Sequence, residues 1–442
     1  MSADSEVHKP SLLLVELNEF DPEFLSAKAE ELGLANIKRA LSLPRAITTT
    51  DDRIEHQGLD PWVQWVNVHC GKPLSEHGVR RIGQTKRQDS PQIWSVLGER
   101  GYTWGVWGAM NAPRQDAPGC QFFFPDPWAF EEEAYPKSLN KLLALPRYMA
   151  RNYLDVDRAV FLREAMVFTA ALVSPSMWKS TFTFSREMLG QILRGKLSVH
   201  TMSTFLDYLS TLVFVSNREK MKPDFSLIFL NNIAHLQHQF WRRGEKLHPE
   251  MELGLRLTDK MLGLLMDSMK PHEAMILLNG LKQRNVEGEG FCIYRQKNPQ
   301  LFVERLGVTG TVEQGMTHDA HILCDSVEEA DNAERILQEC RMSNGEVLFD
   351  VERVSDTRVF YQIAFEREIS PGLTIVSGNS SFDVDEILEL YARRTGAHVP
   401  DADVFSKGIA LPEKMHNHEI FHFIDRHFAP VAAKPVETAE FA

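Results

Sequence analysis

The sequence lacks the features that identify several large classes of protein. It contains only five cysteines among 442 residues, and no pair has zinc-ribbon spacing, so we expect reduced thiols. Positive charge is scarce relative to negative charge, because 48 Lys and Arg stand against 61 Asp and Glu, a net charge of −13. This balance disfavours non-specific binding of nucleic acid or anionic lipid, although a local basic patch remains compatible with it.

Long apolar runs are also missing. A membrane span needs about 20 predominantly apolar residues, and the most apolar helical stretch, 159–173, is interrupted by Arg163 and Glu164. The polar N-terminus has no basic segment followed by an apolar core, so no signal peptide is expected. We therefore expect a cytoplasmic protein with no membrane span and no nucleic acid partner. The oligomeric state stays open.

The common catalytic motifs are absent as well. The chain has no glycine-rich phosphate loop, no G-x-S-x-G elbow and no H-E-x-x-H helix. What it does have is ordinary globular composition, with 43% hydrophobic and 25% charged residues. A site must therefore be sought from the predicted fold.

Strand and helix signals alternate along much of the chain. The apolar run 11–17 predicts a buried strand, and Asp21-Pro22 predicts the start of a helix. Ser90-Pro91 predicts a second helix, and 102–107 predicts the strand that follows it. This order predicts an α/β fold with a mostly parallel central sheet and helices on both faces.

Two insertions interrupt this core. We predict a first part of the α/β core at 11–137, a helical insertion or cap at 138–218, and a second part of the core at 219–290. A small α+β insertion with a return to the core follows at 291–410, and a C-terminal core helix at 411–429. The helical insertion could shape a substrate pocket or form a packing or oligomer surface, and both interpretations stay open.

Polar residues follow three of the predicted strands. Asn18-Glu19, Asn231-Asn232 and Asn279-Gly280 each end an apolar run. Because ligands of open parallel sheets gather at the carboxyl ends of strands, we expect these groups to converge. His235 and His238 lie one helical turn apart, a spacing that can hold a metal ion but is also common by chance.

Four stretches in this order resemble the alkaline phosphatase superfamily, and in particular its type I phosphodiesterase/nucleotide pyrophosphatase branch. They are Leu12 to Glu23, Trp65 to Val79 with Cys-Gly-Lys-Pro-Leu-Ser-Glu-His-Gly, Pro223 to Trp241 with Ala-His-Leu-Gln-His, and Met275 to Gly280. The resemblance implies two metal ions held by Asp and His, with a Thr or Ser nucleophile.

Most of the metal ligands that the resemblance implies are replaced in this chain. The family's Asp positions fall on Asn18, Ala234 and Asn279, and the His after the last Asp falls on Gly280. His238 keeps one family His, and the nucleophile position falls on Asp60 or on the proline after it. Without these carboxylates a two-metal centre is not expected, because little negative charge would offset the two cations.

We therefore expect at most one divalent ion, zinc or manganese, and a small anionic substrate or ligand. Predicted metal ligands are His238, His416 and His418; predicted catalytic residues are Asn18, Asp60, His238 and Asn279; and predicted substrate-binding residues are Asn232 and His235.

Three functions fit these expectations. The first is a hydrolase or group-transfer enzyme with an altered site, acting on a phosphate- or sulfate-bearing substrate, with Asp60 or Glu55 as base or nucleophile. The second is an inactive relative that binds an anionic ligand or a protein partner. The third is a metal site hidden by misalignment, with ligands such as Glu16, His69, His235 and His418.

Overall fold

The computed structural model describes residues 9–54, 58–85, 89–152, 156–175, 177–193, 199–244, 246–315 and 318–429. The strands of its central sheet are, in chain order, β1 (Leu12–Leu17), β2 (Arg45–Thr49), β3 (Trp104–Trp107), β4 (Cys120–Phe124), β5 (Phe225–Leu230), β6 (Ala274–Leu278), β18 (Ala402–Lys407) and β19 (Lys414–His416). The remaining strands are β7 (Lys282–Asn285), β8 (Cys292–Gln296), β9 (Thr311–Gln314), β10 (Asp319–Leu323), β11 (Arg341–Met342), β12 (Phe349–Ser355), β13 (Arg358–Ile363), β14 (Thr374–Ser377), β15 (Ser380–Asp383), β16 (Leu388–Arg393) and β17 (Gly396–Val399).

The helices of the first half are α1 (Pro22–Leu32), α2 (Ala35–Leu41), α3 (Pro61–Cys70), α4 (Leu74–His77), α5 (Ile93–Glu99), α6 (Asn140–Asn152), α7 (Arg158–Leu172), α8 (Trp178–Leu193) and α9 (Val199–Met221). Those of the second half are α10 (Asn232–Phe240), α11 (Pro249–Asp267), α12 (Pro299–Arg305), α13 (Val327–Glu339), α14 (Val384–Ile387) and α15 (Ile420–His427). Single 3₁₀ turns lie at Lys137–Leu139 and Asn417–Glu419.

The central sheet has eight strands in the order β19-β2-β18-β6-β1-β5-β3-β4. Strands β6, β1, β5, β3 and β4 run parallel to one another, and β19 runs parallel to β2. Only β18 pairs antiparallel, with β6 on one side and β2 on the other. The sheet is therefore mostly parallel, as the sequence predicts.

Both faces of this sheet are covered by helices. Leu13, Val15 and Leu17 of β1 face an apolar core that includes α1, α2, α9 and α11. Leu12 and Leu14 face the opposite core, which includes α3, α5 and α15. Because β1 is buried on both sides, it is a continuous apolar run. The predicted α/β class with helices on both faces is confirmed.

Glu16 is the one charged residue of β1, and its partner is His69 of α3. Glu16 Oε1 lies 2.7 Å from His69 Nε2, and both side chains are fully buried. Burial raises the pKa of the Glu16 carboxyl, although the His69 ring opposes this. The two residues therefore pair with each other inside the core, as expected for a carboxylate in an apolar strand, while Glu16 Oε2 and His69 Nδ1 have no hydrogen-bond partner among the described residues.

The segments outside the core have their own packing. Helices α6 to α9 follow one another between β4 and β5, and α9 packs against α11. Strands β9, β10, β12 and β13 form a separate antiparallel sheet that covers α13 with its own apolar core. The division into five segments stays a prediction. No helix among the described residues is long and apolar enough to cross a membrane.

Candidate functional site

A cavity of about 860 Å³ opens where β1 and β5 end. This is the carboxyl edge of the parallel strands, where open α/β sheets bind ligands. One side of the cavity is polar, with Asn18, Glu19, Asp60, Asn231, His238, His318, Arg394 and His398. The other side is apolar and comes mainly from the helical insertion, with Leu142, Met149, Phe168, Leu206, Leu209 and Val213.

Three side chains of the polar side meet at one point. Glu19 Oε2 lies 3.0 Å from His238 Nε2 and 2.9 Å from His398 Nε2, and the two ring nitrogens are 3.3 Å apart. These potential ligand atoms all lie within 4.8 Å of one another. We call this group the Glu19 triad.

The two imidazole rings are held so that both Nε2 atoms point to the carboxylate. His238 Nδ1 donates to the carbonyl of Gly396 at 3.1 Å, and His398 Nδ1 donates to the carbonyl of Leu59 at 2.6 Å. A carbonyl oxygen can only accept, so each neutral ring keeps its lone pair on Nε2. Such contacts are the usual outer partners of metal-binding histidines.

Glu19 sits in a strained turn immediately after β1. Its φ of +57° lies in the left-handed region, which is unusual for a residue other than glycine, asparagine or aspartate. Its backbone is held by the carbonyl of Asn279, which accepts from Glu19 N at 3.0 Å, and by the amide of Gln283. The turn thereby carries the carboxylate away from the sheet and toward the rings.

Two neutral amides complete the environment of this carboxylate. Asn18 Nδ2 donates to Glu19 Oε1 at 2.8 Å, and Gln283 Nε2 donates to Oε2 at 2.6 Å. Asn18 is itself fixed, because its Oδ1 accepts from Trp65 Nε1 at 2.7 Å. Asn18 is therefore a positioning residue for Glu19.

The pairing of two short strands brings His398 to this point. In the antiparallel pair of β17 and β7, His398 is the direct partner of Gln283, so both side chains reach Glu19. Helix α10 is fastened to the start of β17 by Thr395, whose N donates to the carbonyl of His238 at 2.7 Å. The triad thus combines segments far apart in sequence.

The electrostatics of the triad are strongly coupled. Burial opposes ionisation of Glu19, but the charge and hydrogen bonds of His398 and His238 hold its pKa well below the ordinary value. Burial lowers the pKa of His238 to about 4, whereas the neighbouring Glu19 outweighs burial at His398 and raises that pKa. The triad is therefore an ionised carboxylate facing two rings that compete for one positive charge.

This donor set fits one divalent cation. Three lone-pair donors that converge repel one another unless a proton or a cation lies between them. Two imidazole nitrogens and one carboxylate oxygen suit zinc and related ions. The second ion that the resemblance implies fits poorly, because Asn18 and Asn279 are neutral and engaged, and Ala234 has no donor.

Asp60 lies beside the triad as the N-cap residue of α3. Its side chain makes no capping hydrogen bond, and its buried Oδ2 has no hydrogen-bond partner. Burial raises the pKa of this carboxyl to about 7, although the charges of His398 and Arg394 oppose the rise. A carboxyl group that titrates near neutrality in a cavity is suited to proton transfer.

The structure brings together several of the predicted site residues. Asn18, Asp60, Asn232, His235 and His238 all line the cavity. Asn232, however, is fully buried and donates from Nδ2 to Thr258 at 2.8 Å. Its role as a substrate ligand, like the roles of the other four, stays a prediction.

Other predicted site residues lie elsewhere. Asn279 does not line the cavity, because its side chain donates to the Phe20 carbonyl and accepts from Asp403 N, both at 2.8 Å, beneath the turn. Among the described residues, the group of potential metal ligands around His238 contains Glu19 and His398 rather than His416 or His418, whose role as metal ligands stays a prediction. Those two rings stack on each other next to α3, with centroids 5.4 Å apart.

Two members of the triad were not predicted from the sequence. Glu19 follows Asn18 directly, but the alignment with the family places the ligand on Asn18. His398 is one of 16 histidines and has no local motif that sets it apart. Glu55, the alternative base, lies outside the described residues.

Comparison with known proteins gives a likeness of fold. No family model and no curated protein matches the chain. Similar solved structures include phosphonoacetate hydrolase from Sinorhizobium meliloti 1021 in complex with phosphonoformate, at 14% identity and a TM-score of 0.46, covering 95% of this chain and 96% of that chain. Murine ectonucleotide pyrophosphatase/phosphodiesterase 5 matches at 10% identity and a TM-score of 0.47, covering 96% of both chains.

The human ectonucleotide pyrophosphatase/phosphodiesterase 5 matches similarly, at 11% identity and a TM-score of 0.47, covering 94% of this chain and 95% of that chain. The murine and human proteins carry the name of the branch that the sequence resembles. With TM-scores below 0.5, the likeness carries no argument about what this chain binds or does.

Proposed function

We propose that this protein is a hydrolase or group-transfer enzyme that acts on a phosphate- or sulfate-bearing ester with one divalent metal ion. The observation that carries the proposal is the Glu19 triad at the polar end of the cavity. Glu19, His238 and His398 would hold the ion. When bound, it would supply positive charge that stabilises developing negative charge on the ester oxygens.

Asp60 is the proposed proton-transfer residue. With a pKa of about 7 its carboxyl exchanges a proton near neutral pH, and its buried Oδ2 has no hydrogen-bond partner among the described residues. A carboxylate could also attack the ester directly, as the position of the family nucleophile suggests. Replacing Asp60 by Asn removes both roles without a large change of shape.

Arg394 and the polar strand ends are the proposed anion-binding groups. Arg394 lines the cavity near Asp60 and carries a permanent positive charge suited to phosphate or sulfate oxygens. His235 lies on the exposed side of α10, where Asn231 Nδ2 approaches its Nε2 at 3.2 Å. These groups would orient the anionic end of the substrate beside the triad.

The apolar side of the cavity favours a substrate with a bulky apolar substituent. Met149, Phe168, Leu206 and Val213 line this side without offering any side-chain hydrogen bond. Apolar surface of this kind stabilises a bound apolar group by about 25 cal/mol for each Å² removed from water. The helical insertion would therefore act as the pocket-forming cap that was one of its two predicted roles.

An inactive relative that binds an anionic ligand remains the second candidate. It is favoured by the neutral residues at the family's ligand positions, Asn18 and Asn279, whose amides are engaged in holding the Glu19 turn. Such a protein would keep Arg394 as an anion ligand but would not turn over any ester.

The test combines elemental analysis of the purified full chain with assays on 4-nitrophenyl phosphate, on phosphodiesters with short and long alkyl groups, and on a sulfate ester. We expect about one divalent ion per chain and turnover that chelation abolishes. His398→Ala should lose the ion and the turnover, whereas Asp60→Asn should lose turnover and keep the ion.

His416→Ala is the matched control, because it removes an exposed histidine that lies outside the cavity. It should keep both metal and turnover. Two ions per chain, or one ion that survives His398→Ala, would refute the one-metal site. A chain that binds sulfate or phosphate tightly but hydrolyses none of the esters would favour the binding protein.

A further inference from the structure

The helical insertion exposes an unusual amount of apolar surface on its outer side. On α8 the exposed residues Trp178, Phe182, Leu189 and Leu193 follow one another at spacings of four, seven and four. These spacings place all four on one stripe of the helix. Each is between 55% and 79% exposed, although side chains of this kind are normally covered.

Helix α7 repeats the pattern. Leu162 and Met166 of α7 and Val173 just beyond its end follow at spacings of four and seven, and each is at least 60% exposed. The two helices are consecutive, and Thr181 Oγ1 donates to the carbonyl of Leu172 at 2.6 Å where the chain turns between them. We call these two rows the apolar stripes.

The inner sides of the same helices are packed normally. Phe184 of α8 is buried and packs edge-on against Phe205 of α9, with ring centroids 6.0 Å apart. Phe168 of α7 lines the cavity. Both helices therefore have partners within the chain on their inner sides, whereas the stripes face outward.

Positive charge accompanies the stripes. Residues 138–200 contain nine Lys and Arg against four Asp and Glu, in a chain whose net charge is −13. Lys179 and Arg186 are exposed and flank the stripe of α8 at helical spacing, and Arg158 and Arg163 flank that of α7. The basic residues thus concentrate on the same part of the molecule as the exposed apolar side chains.

We propose that the apolar stripes seat this protein on the surface of an anionic lipid membrane. An amphipathic helix with large apolar residues and flanking Lys and Arg binds in the headgroup region, where burial of the apolar side chains adds to attraction by anionic lipid. The exposed Trp178 suits this region, because an indole ring is stable at the boundary of water and lipid.

A second copy of the chain is a less suitable occupant. A two-fold interface brings the same surface of both copies together. The excess of positive charge on this part of one copy would then face the same excess on the other, which costs free energy. An anionic membrane supplies the opposite charge over the whole stripe.

Vesicle flotation with the purified full chain tests the proposal. We expect binding to vesicles of phosphatidylglycerol and phosphatidylcholine, weak binding to phosphatidylcholine alone, and weakening at high salt. Phe182→Ser and Leu189→Ser should each weaken binding by about tenfold, and Lys179→Gln by about fivefold. A shift of tryptophan fluorescence to shorter wavelength should accompany binding and disappear in Trp178→Phe.

Leu301→Ser and Val327→Ser are matched controls, because both residues are exposed apolar side chains outside the insertion. They should bind vesicles like the unchanged chain. Equal losses in these controls, or no vesicle binding by a monomeric chain, would overturn the proposal. Self-association in sedimentation that Phe182→Ser abolishes would assign the stripes to a second copy and overturn it too. None of these outcomes depends on metal or turnover.

Discussion

Asp207 connects the helical insertion to the site, and its protonation should control stability. Its Oδ2 accepts from the backbone N–H groups of Asn231 and Asn232, both at 2.7 Å, at the start of α10. Burial raises the pKa of this carboxyl from an ordinary value of 3.8 to about 7, although the two backbone bonds oppose the rise. The folded protein therefore binds a proton here that the unfolded chain releases at lower pH.

The sign of the effect follows from this difference. Below about pH 4 the carboxyl is protonated in both states, and its contribution to stability is fully present. As pH rises through about 7, that contribution is lost, because folding then requires an ionised carboxylate in the cavity wall. The rise of the Asp207 pKa from 3.8 to about 7 corresponds to at most about 4 kcal/mol of unfolding free energy. We expect roughly half of that, because the side chain is only half-buried.

Asp207→Asn removes the titration and keeps an oxygen that can accept the two N–H groups. The free energy of unfolding of this variant, relative to the unchanged chain, should rise by about 2 kcal/mol between pH 4 and pH 8 in urea denaturation. Asp157→Asn is the matched control, since Asp157 also accepts from two backbone N–H groups at a helix start but is exposed. A difference that does not change with pH, or an equal change in the control, would refute the reasoning.

Three further substitutions test other parts of the structure. Gln283→Leu removes the amide that donates to Glu19, so metal affinity should fall about 10–100-fold in a chelator-competition titration, and unchanged affinity would contradict the role given to Gln283. Glu273→Gln leaves the buried Arg218 without its charge partner and should cost about 3–5 kcal/mol of unfolding free energy, whereas a loss below 1 kcal/mol would argue against the pair. Gly280→Ala places a Cβ 2.8 Å from an indole ring, at a residue whose φ is +71°. Urea denaturation should therefore show a loss of about 2–4 kcal/mol of unfolding free energy.

Local pattern in the sequence was enough to predict the core elements. The apolar run that becomes β1 is buried on both faces, and the Asp21-Pro22 pair does begin α1, with Asp21 accepting from Phe24 N at 2.7 Å. The helix that begins at this pair ends at Leu32, because Gly33 adopts a left-handed conformation, and α2 follows it. Strand burial, helix starts and helix ends depend on residues that are close in sequence, so they can be predicted from the sequence.

The candidate site was only partly predictable. Asp60 and His238 were predicted because each occupies a position in a motif that resembles the family's. The resemblance places the ligand on the neutral Asn18, and the carboxylate that we named as a possible hidden ligand is Glu16, whereas the triad takes its carboxylate from Glu19, one residue after Asn18. A left-handed turn makes that substitution possible, and backbone conformation of this kind is not visible in residue types.

By itself, the sequence determined the α/β class and the buried strands, because periodicity, capping and motif order act over short stretches. The tertiary structure alone decided which histidine joins His238. The pairing of β17 with β7 places His398 opposite Gln283, more than a hundred residues away in the chain, and turns both toward Glu19. Contacts between such distant segments depend on the packing of the whole fold, and no local pattern records them.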